Sequence, residues 1–212
     1  MKSAFLPSIA LTLLCAGSAG AETYVVEPRA SEIRILVYRG GMLGRLGHNH
    51  IVSVDDITGT VTVGETAAES SIELRFDVQD LVVDDPALRR AEGDDFPGEI
   101  SEKDKAGTRG NMLGPKLLDA EKHGEIRIAS SRVLGDYPDL TIEAEVWVKG
   151  SLNRVAFPAT VERSAAALTA TGELVVSHAD LGLRPFKAAL GALRVRDGLL
   201  LKYRLEASKA DQ

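Results

Sequence analysis

An all-β chain of antiparallel strands, closed as a barrel or stacked as a sandwich and broken once by a short helical insertion, is predicted by three observations. Apolar and polar residues alternate, as in Ile72, Leu74, Phe76 and Val78 set against Glu73, Arg75 and Asp77, and again in Ile142, Ala144, Val146 and Val148 set against Glu143, Glu145 and Lys149. Period two with one polar side is the mark of antiparallel strands that bury one face. About ten such segments recur between turn signals, the spacing of a barrel or sandwich of about eight or more strands. Helix signals are confined to one region, where Pro86 opens a segment to Ala91 and Ser101 opens another to Met112.

In chain order, residues 1–21 read as a secretory signal peptide: Lys2, an apolar run from Ala4 to Ala16 and the small-residue ending Ala19-Gly20-Ala21. The run is short for a membrane span and is interrupted by Pro7. Cleavage is expected before Glu22; Cys15 reads as part of the apolar run, because Leu14 stands where lipidation needs a small residue. The mature part, residues 22–212, is 191 residues without a cysteine, one all-β domain that needs no disulfide. Formal charge is −6 for the whole chain and −7 without Lys2, which argues against nucleic acid and, taken as an average, against anionic membranes.

Strands are expected at 23–27, 32–39, 50–54, 59–63, 72–78, 125–133, 142–149, 154–162, 168–177 and 193–206. Ser101 and Asp104 sit at capping-box spacing, while Gly107 and Gly110 weaken that helix by about 1 kcal/mol each relative to alanine. Residues 180–191 read as a loop around Pro185. Trp147 falls on the polar face of its strand and reads as a surface aromatic. Aromatic residues make up only 5% of the chain, so the inward face is mostly aliphatic; such a barrel either packs its interior or holds one small ligand.

The stretch Gly40-Gly-Met-Leu-Gly-Arg-Leu-Gly-His-Asn-His50 joins two expected strands and holds two of the four histidines. Its glycines permit a mobile mouth loop. His48 and His50, one residue apart, face the same side of an extended chain, and a metal site built on them needs at least one more ligand, for which His123 is the first candidate. The glycines match neither phosphate-binding fingerprint; Arg45 is the residue of this loop suited to a lipid head group. Asp55-Asp56, Asp84-Asp85 and Asp94-Asp95 read as turn carboxylates. There is no Gly-x-Ser-x-Gly elbow and no thiolate, and His178 before Asp180 lacks a serine to complete a triad, so no enzyme is expected.

Several segments in order, Tyr24-Val-Val-Glu-Pro28, Ser31-Glu-Ile33, Ile57-Thr-Gly-Thr-Val61, Leu118-Asp-Ala-Glu-Lys-His123, Val176 to Phe186 and Gly191 to Asp197, resemble the YceI-like polyisoprenoid-binding family. The chain departs from the usual pattern at Gly47-His-Asn-His50, at Gly124, where proline is frequent, and at Leu181, where phenylalanine is more usual. The resemblance implies a lipocalin-like antiparallel barrel around a long amphiphile such as a polyisoprenoid or quinone-like lipid, in a periplasmic or secreted protein. With it, the mouth and gate candidates are Met42, Leu43, Arg45, His48, His50 and Phe186. The lipid is the expected partner, without nucleic acid or stable membrane insertion; no cofactor is assigned, and a homodimer is left open. The alternative is a periplasmic metal-binding protein that holds a divalent metal through His48, His50 and His123. A hydrolase or isomerase on the same barrel is a third class, and it requires titratable side chains in the cavity wall.

Overall fold

The computed structural model of the chain describes residues 20–44 and 47–210. Residues 1–19, which hold most of the expected signal peptide with Cys15, and the gate candidate Arg45 lie outside the described residues.

Inward aliphatic side chains bend one antiparallel sheet until it meets itself. Its strands are β1 (Glu22–Val26), β2 (Glu32–Gly40), β3 (His50–Val54), β4 (Thr58–Val63), β5 (Ser71–Asp77), β6 (Val82–Val83), β7 (Glu125–Asp136), β8 (Asp139–Val148), β9 (Ser151–Arg163), β10 (Ala167–Ser177), β11 (Lys187–Ala188) and β12 (Leu193–Lys209). The hydrogen-bonded order β1-β4-β5-β7-β8-β9-β10-β12 closes because β12 also pairs β1, which makes an eight-stranded barrel. β12 is the seam. Along one edge it follows β10 from Ser208 to Gly198; along the other its end pairs β1, and the remainder pairs β2. Beyond β2 the sheet continues through β3 to β6 as a flap, and β11 adds to the start of β12.

The ten expected strands are all present, with ends that move by a few residues. β6 and β11 hold two residues each, too few for a period to be read, and β11 falls within the stretch expected to be loop. Val78 leaves β5 and starts a 3-10 turn, still buried. On β7 the register slips between Ser130 and Arg132, so inward parity changes from Ile126 and Ile128 to Val133. One extra residue, Ser131, produces that switch.

Both expected helices form where the caps put them. Asp85 accepts hydrogen bonds from the N–H groups of Ala87 and Leu88 and starts α1 (Pro86–Ala91); Ser101 accepts from the Asp104 N–H and starts α2 (Glu102–Leu113). Met112 of α2 joins the main core with Leu118 and Ala120. A smaller core of Leu36, Ile51 and Phe96, with Leu88 packed against it, joins α1 and the following turn to the outer face of the flap. Glu92 clamps the same face: one oxygen takes Arg34 at 2.7 Å and the other Lys202 at 2.6 Å. Arg34 and Lys202 are direct partners across β2 and β12, so Glu92 bridges a like-charged cross-strand pair, and Glu32 gives Arg34 a second carboxylate at 2.5 Å.

Candidate functional site

The barrel encloses an apolar cavity of about 160 Å³. Eight strands wall it, with Ile35 of β2, Val61 of β4, Leu74 of β5, Ile142 of β8, Phe157 of β9 and Leu201 of β12 among the side chains that point inward. No Asp, Glu, Lys, Arg, His or Cys lines it. Its polar side chains are hydroxyls, and three of them are engaged with protein: Tyr137 with Ser70 at 2.7 Å, and Tyr203 donating to the Pro158 carbonyl at 2.5 Å. Burial pushes the Tyr203 phenol far above its ordinary pKa, so it stays neutral. Gly172 permits this arrangement, since a Cβ there would lie 2.3 Å from the Pro158 carbonyl oxygen and 2.5 Å from the Tyr203 hydroxyl. Phe157 packs edge-on against Tyr203, with ring centroids 5.8 Å apart. The wall therefore attracts hydrocarbon and offers a ligand no charged anchor.

The gate candidates lie elsewhere. Among the described residues none of Met42, Leu43, His48, His50 and Phe186 lines the apolar cavity. Met42 is 93% exposed and Leu43 42%, on the turn after β2. Phe186 is half-buried, and its carbonyl accepts the Val195 N–H. These residues neighbour a second, polar cleft where β2, β11 and β12 come together, lined by Arg39, Gly40, Gly41, Gly44, Asn49 and Arg194 among others.

Beside that cleft the two histidines do come together, with ring centroids 6.3 Å apart. His48 is exposed; His50 is half-buried, and its Nδ1 lies 2.6 Å from Asp84 Oδ2. The other Asp84 oxygen accepts from the Ile51 N–H at 3.0 Å and from Arg89 at 2.7 Å. Arg89 also donates to the carbonyls of Asn49, Pro97 and Gly98. Asp84 and Arg89 are fully or nearly fully buried. Burial pushes the Asp84 carboxyl up, and the bonds from His50, Ile51 and Arg89 outweigh it, holding the group below its ordinary range. Asp84 stands in the turn where the sequence put it, between β6 and α1, but with φ of 55° its side chain is buried against β3, whereas Asp85 caps α1. An aspartate before an N-cap aspartate and proline, five residues ahead of an arginine, is the only trace of this cluster in the sequence.

His123 packs beside the turn between β8 and β9, where a Cβ on Gly150 would lie 2.6 Å from its ring. His178 is buried, with Nδ1 2.7 Å from the Asp197 carbonyl. Among the described residues no group of three or more His, Cys, Asp or Glu side chains is placed to hold a metal ion. Trp147 is half-buried on the barrel exterior beneath the Arg127 guanidinium, 4.8 Å from the ring centroid. Among the described residues no helix is long and apolar enough to cross a membrane.

An eight-stranded antiparallel barrel with extra strands, an aliphatic interior and two short helices is a lipocalin-type fold. The YceI-like domain matches residues 24–207, and the chain belongs to that family. BcnA of Burkholderia cenocepacia shares the fold with a TM-score of 0.63 at 16% identity, over 86% of this chain and 99% of that one. A polyisoprenoid-binding domain from Saccharophagus degradans implicated in plant cell wall breakdown is similar as well, with a TM-score of 0.56 at 12% identity over 88% and 98%. The YceI protein of Campylobacter jejuni also shares the fold, with a TM-score of 0.54 at 8% identity over 76% and 85%. Among curated protein sequences none matches.

Proposed function

We propose that the protein is a periplasmic binding or carrier protein for a long-chain amphiphile, such as a polyisoprenoid or quinone-like lipid, held in the barrel, and that it catalyses no reaction. The aliphatic cavity carries this reading. The name of the Saccharophagus domain supports the ligand class, and the first twenty-one residues support export. Length in the ligand is favoured: a buried methylene contributes about 0.8 kcal/mol, while association costs roughly 4 to 15 kcal/mol, so a chain of fewer than about ten carbons binds weakly. A cavity of about 160 Å³ is close to the size that admits benzene. A longer chain therefore enters as the Leu, Ile and Val side chains of the wall repack. No Asp, Glu, Lys, His or Cys lines that wall, and burial keeps the Tyr203 phenol neutral, which gives acid-base catalysis little to work with there. Native mass spectrometry and organic extraction of the exported protein are expected to yield a co-purifying lipid. A barrel that arrives empty and takes up no polyprenol or quinone would overturn the reading.

One observation favours the metal-binding alternative. The Asp84 carboxylate engages His50 Nδ1 at 2.6 Å, the support that metal-ligating histidines commonly have, and the His48 ring centroid lies 6.3 Å away. Elemental analysis of untagged protein, compared with a His48→Ala/His50→Ala variant, decides it, and equal metal in both removes the alternative.

A further inference from the structure

The polar cleft at the end of β2 and β12 combines two features, a cluster of cations and apolar tips, although Arg39 also donates to the Gly47 carbonyl and Arg196 to the Arg39 carbonyl. Its volume is about 830 Å³, and four exposed cations line it: Arg39, Lys187, Arg194 and Arg196. None of the four forms an ion pair among the described residues. The carboxylates lining the cleft are Asp95, which meets the Tyr38 hydroxyl, and Asp197, which lies 3.8 Å from His178. In a chain of formal charge −6, four cations against two carboxylates form a local reversal of sign. Pairing places them together: Lys187 faces Arg194 across β11 and β12, and Arg39 faces Val195 across β2 and β12. Gly40 and Gly41 leave bare backbone under the arginine stems, with Arg196 Cγ 3.3 Å from a Cβ on the first and Arg194 Cγ 3.3 Å from one on the second.

The second feature is apolar. Met42 and Leu190, 93% and 111% exposed, are the most exposed large hydrophobic residues described, and Leu43 is beside Met42. Their two loops are tied together by the bond from the Leu43 N–H to the Ala192 carbonyl at 2.9 Å. Leu190 has φ of 55°, a conformation that glycine or asparagine takes more readily than leucine. Its exposure and its backbone both count against folding stability.

Apolar tips flanked by uncompensated cations match the interface of an anionic bilayer, where hydrocarbon side chains enter the acyl boundary and Arg or Lys meets the phosphates. We propose that this end of the protein docks reversibly on a membrane surface bearing anionic phospholipid, with Met42, Leu43 and Leu190 in the interface and Arg39, Lys187, Arg194 and Arg196 on the head groups. The average charge of the chain pointed away from such a surface, and clustering of the cations overrides the average. The inference goes beyond lipid binding in the barrel, and the two fail separately, because vesicle binding is measured whatever the cavity holds.

Co-sedimentation of the purified protein with vesicles of phosphatidylcholine alone, and of phosphatidylcholine mixed with phosphatidylglycerol, tests it. Binding is expected to the mixed vesicles, weakening as salt is raised. Arg194→Glu/Arg196→Glu and, separately, Met42→Ser/Leu190→Ser are expected to weaken it about tenfold or more. Arg75→Glu/Arg132→Glu, on the barrel wall, is expected to leave it unchanged, and thermal melts of all three variants show that each folds. Equal binding to both vesicle types, or undiminished binding by the folded cleft variants, overturns the proposal. So does calorimetric binding of inorganic phosphate without vesicle binding, which makes the cleft a site for a soluble anion.

Discussion

Asp84 is the residue on which the flap depends. A carboxylate this deep is tolerated only because His50, the Ile51 N–H and Arg89 all donate to it, and Arg89 in turn fastens the turn that follows α1 through the carbonyls of Pro97 and Gly98. Removing its charge leaves Arg89 buried without a counter-charge. Asp84→Asn is therefore expected to destabilise the fold by about 3 to 5 kcal/mol, read as a lower urea midpoint with an unchanged slope. The pH dependence has a definite sign. Because the folded carboxyl is held below its ordinary range, its contribution is complete above that range and is lost as the pH falls through the folded value. Wild-type stability should drop on acidification below about pH 4, and the Asp84→Asn protein should show a shallower acid limb over the same range. An equally steep limb in the variant would assign the acid sensitivity to other groups, Glu92 first, whose carboxyl is pushed up by burial but held below its ordinary range by Lys202 and Arg34. None of this was legible in the sequence. Period and spacing report faces and turns, whereas a positive φ at a single residue sends one of two adjacent aspartates inward and the other to a helix cap.

At the scale of elements, local rules carried further. Alternation located β5 and β8, and capping residues located α1 and α2, because each signal lies within one short segment. β6 and β11 escaped, since two residues show no period: β6 is held by Val52 and Ser53 from far earlier in the chain, and β11 by Leu193 and Arg194 just across a short turn. The parity jump on β7 is written in the chain as Ile128 followed by Val133, yet only the partner strand shows that Ser131 is the residue left over. α2 is an element whose composition and environment disagree. Gly107 and Gly110 lower its propensity, and a Cβ on either would meet no atom within 4 Å. Gly107→Ala and Gly110→Ala are each expected to raise stability by about 0.5 to 1 kcal/mol, measured by denaturant unfolding. A loss of stability in either would mean that the helix needs those glycines for an approach by another molecule.

For the whole molecule, closure is what turns strands into a container. β12 reaches β1 only because its 17 residues extend beyond the pairing with β2, which ends at Arg204 opposite Glu32, and with that contact the barrel has no open edge; β6, at the flap's free edge, lies against α2. The apolar interior was legible in the parity of the strands, whereas the width left inside it was not, because width depends on how eight inward faces interdigitate. That width is the quantity to perturb. Ala159 and Ala170 are small residues in the wall of the cavity, on β9 and β10, and both are buried. A phenyl ring at either fills space that the proposed ligand needs. Ala159→Phe and Ala170→Phe are expected to lower lipid occupancy in native mass spectra sharply, at a cost of about 1 to 3 kcal/mol in stability from overpacking. Thermal melts separate the two effects, since a variant that still unfolds cooperatively but carries less lipid has lost the cavity and kept the barrel. Full occupancy in a folded variant would move the ligand out of the barrel, and the exposed loops around Met42 and Leu190 would then be the surface to examine for it.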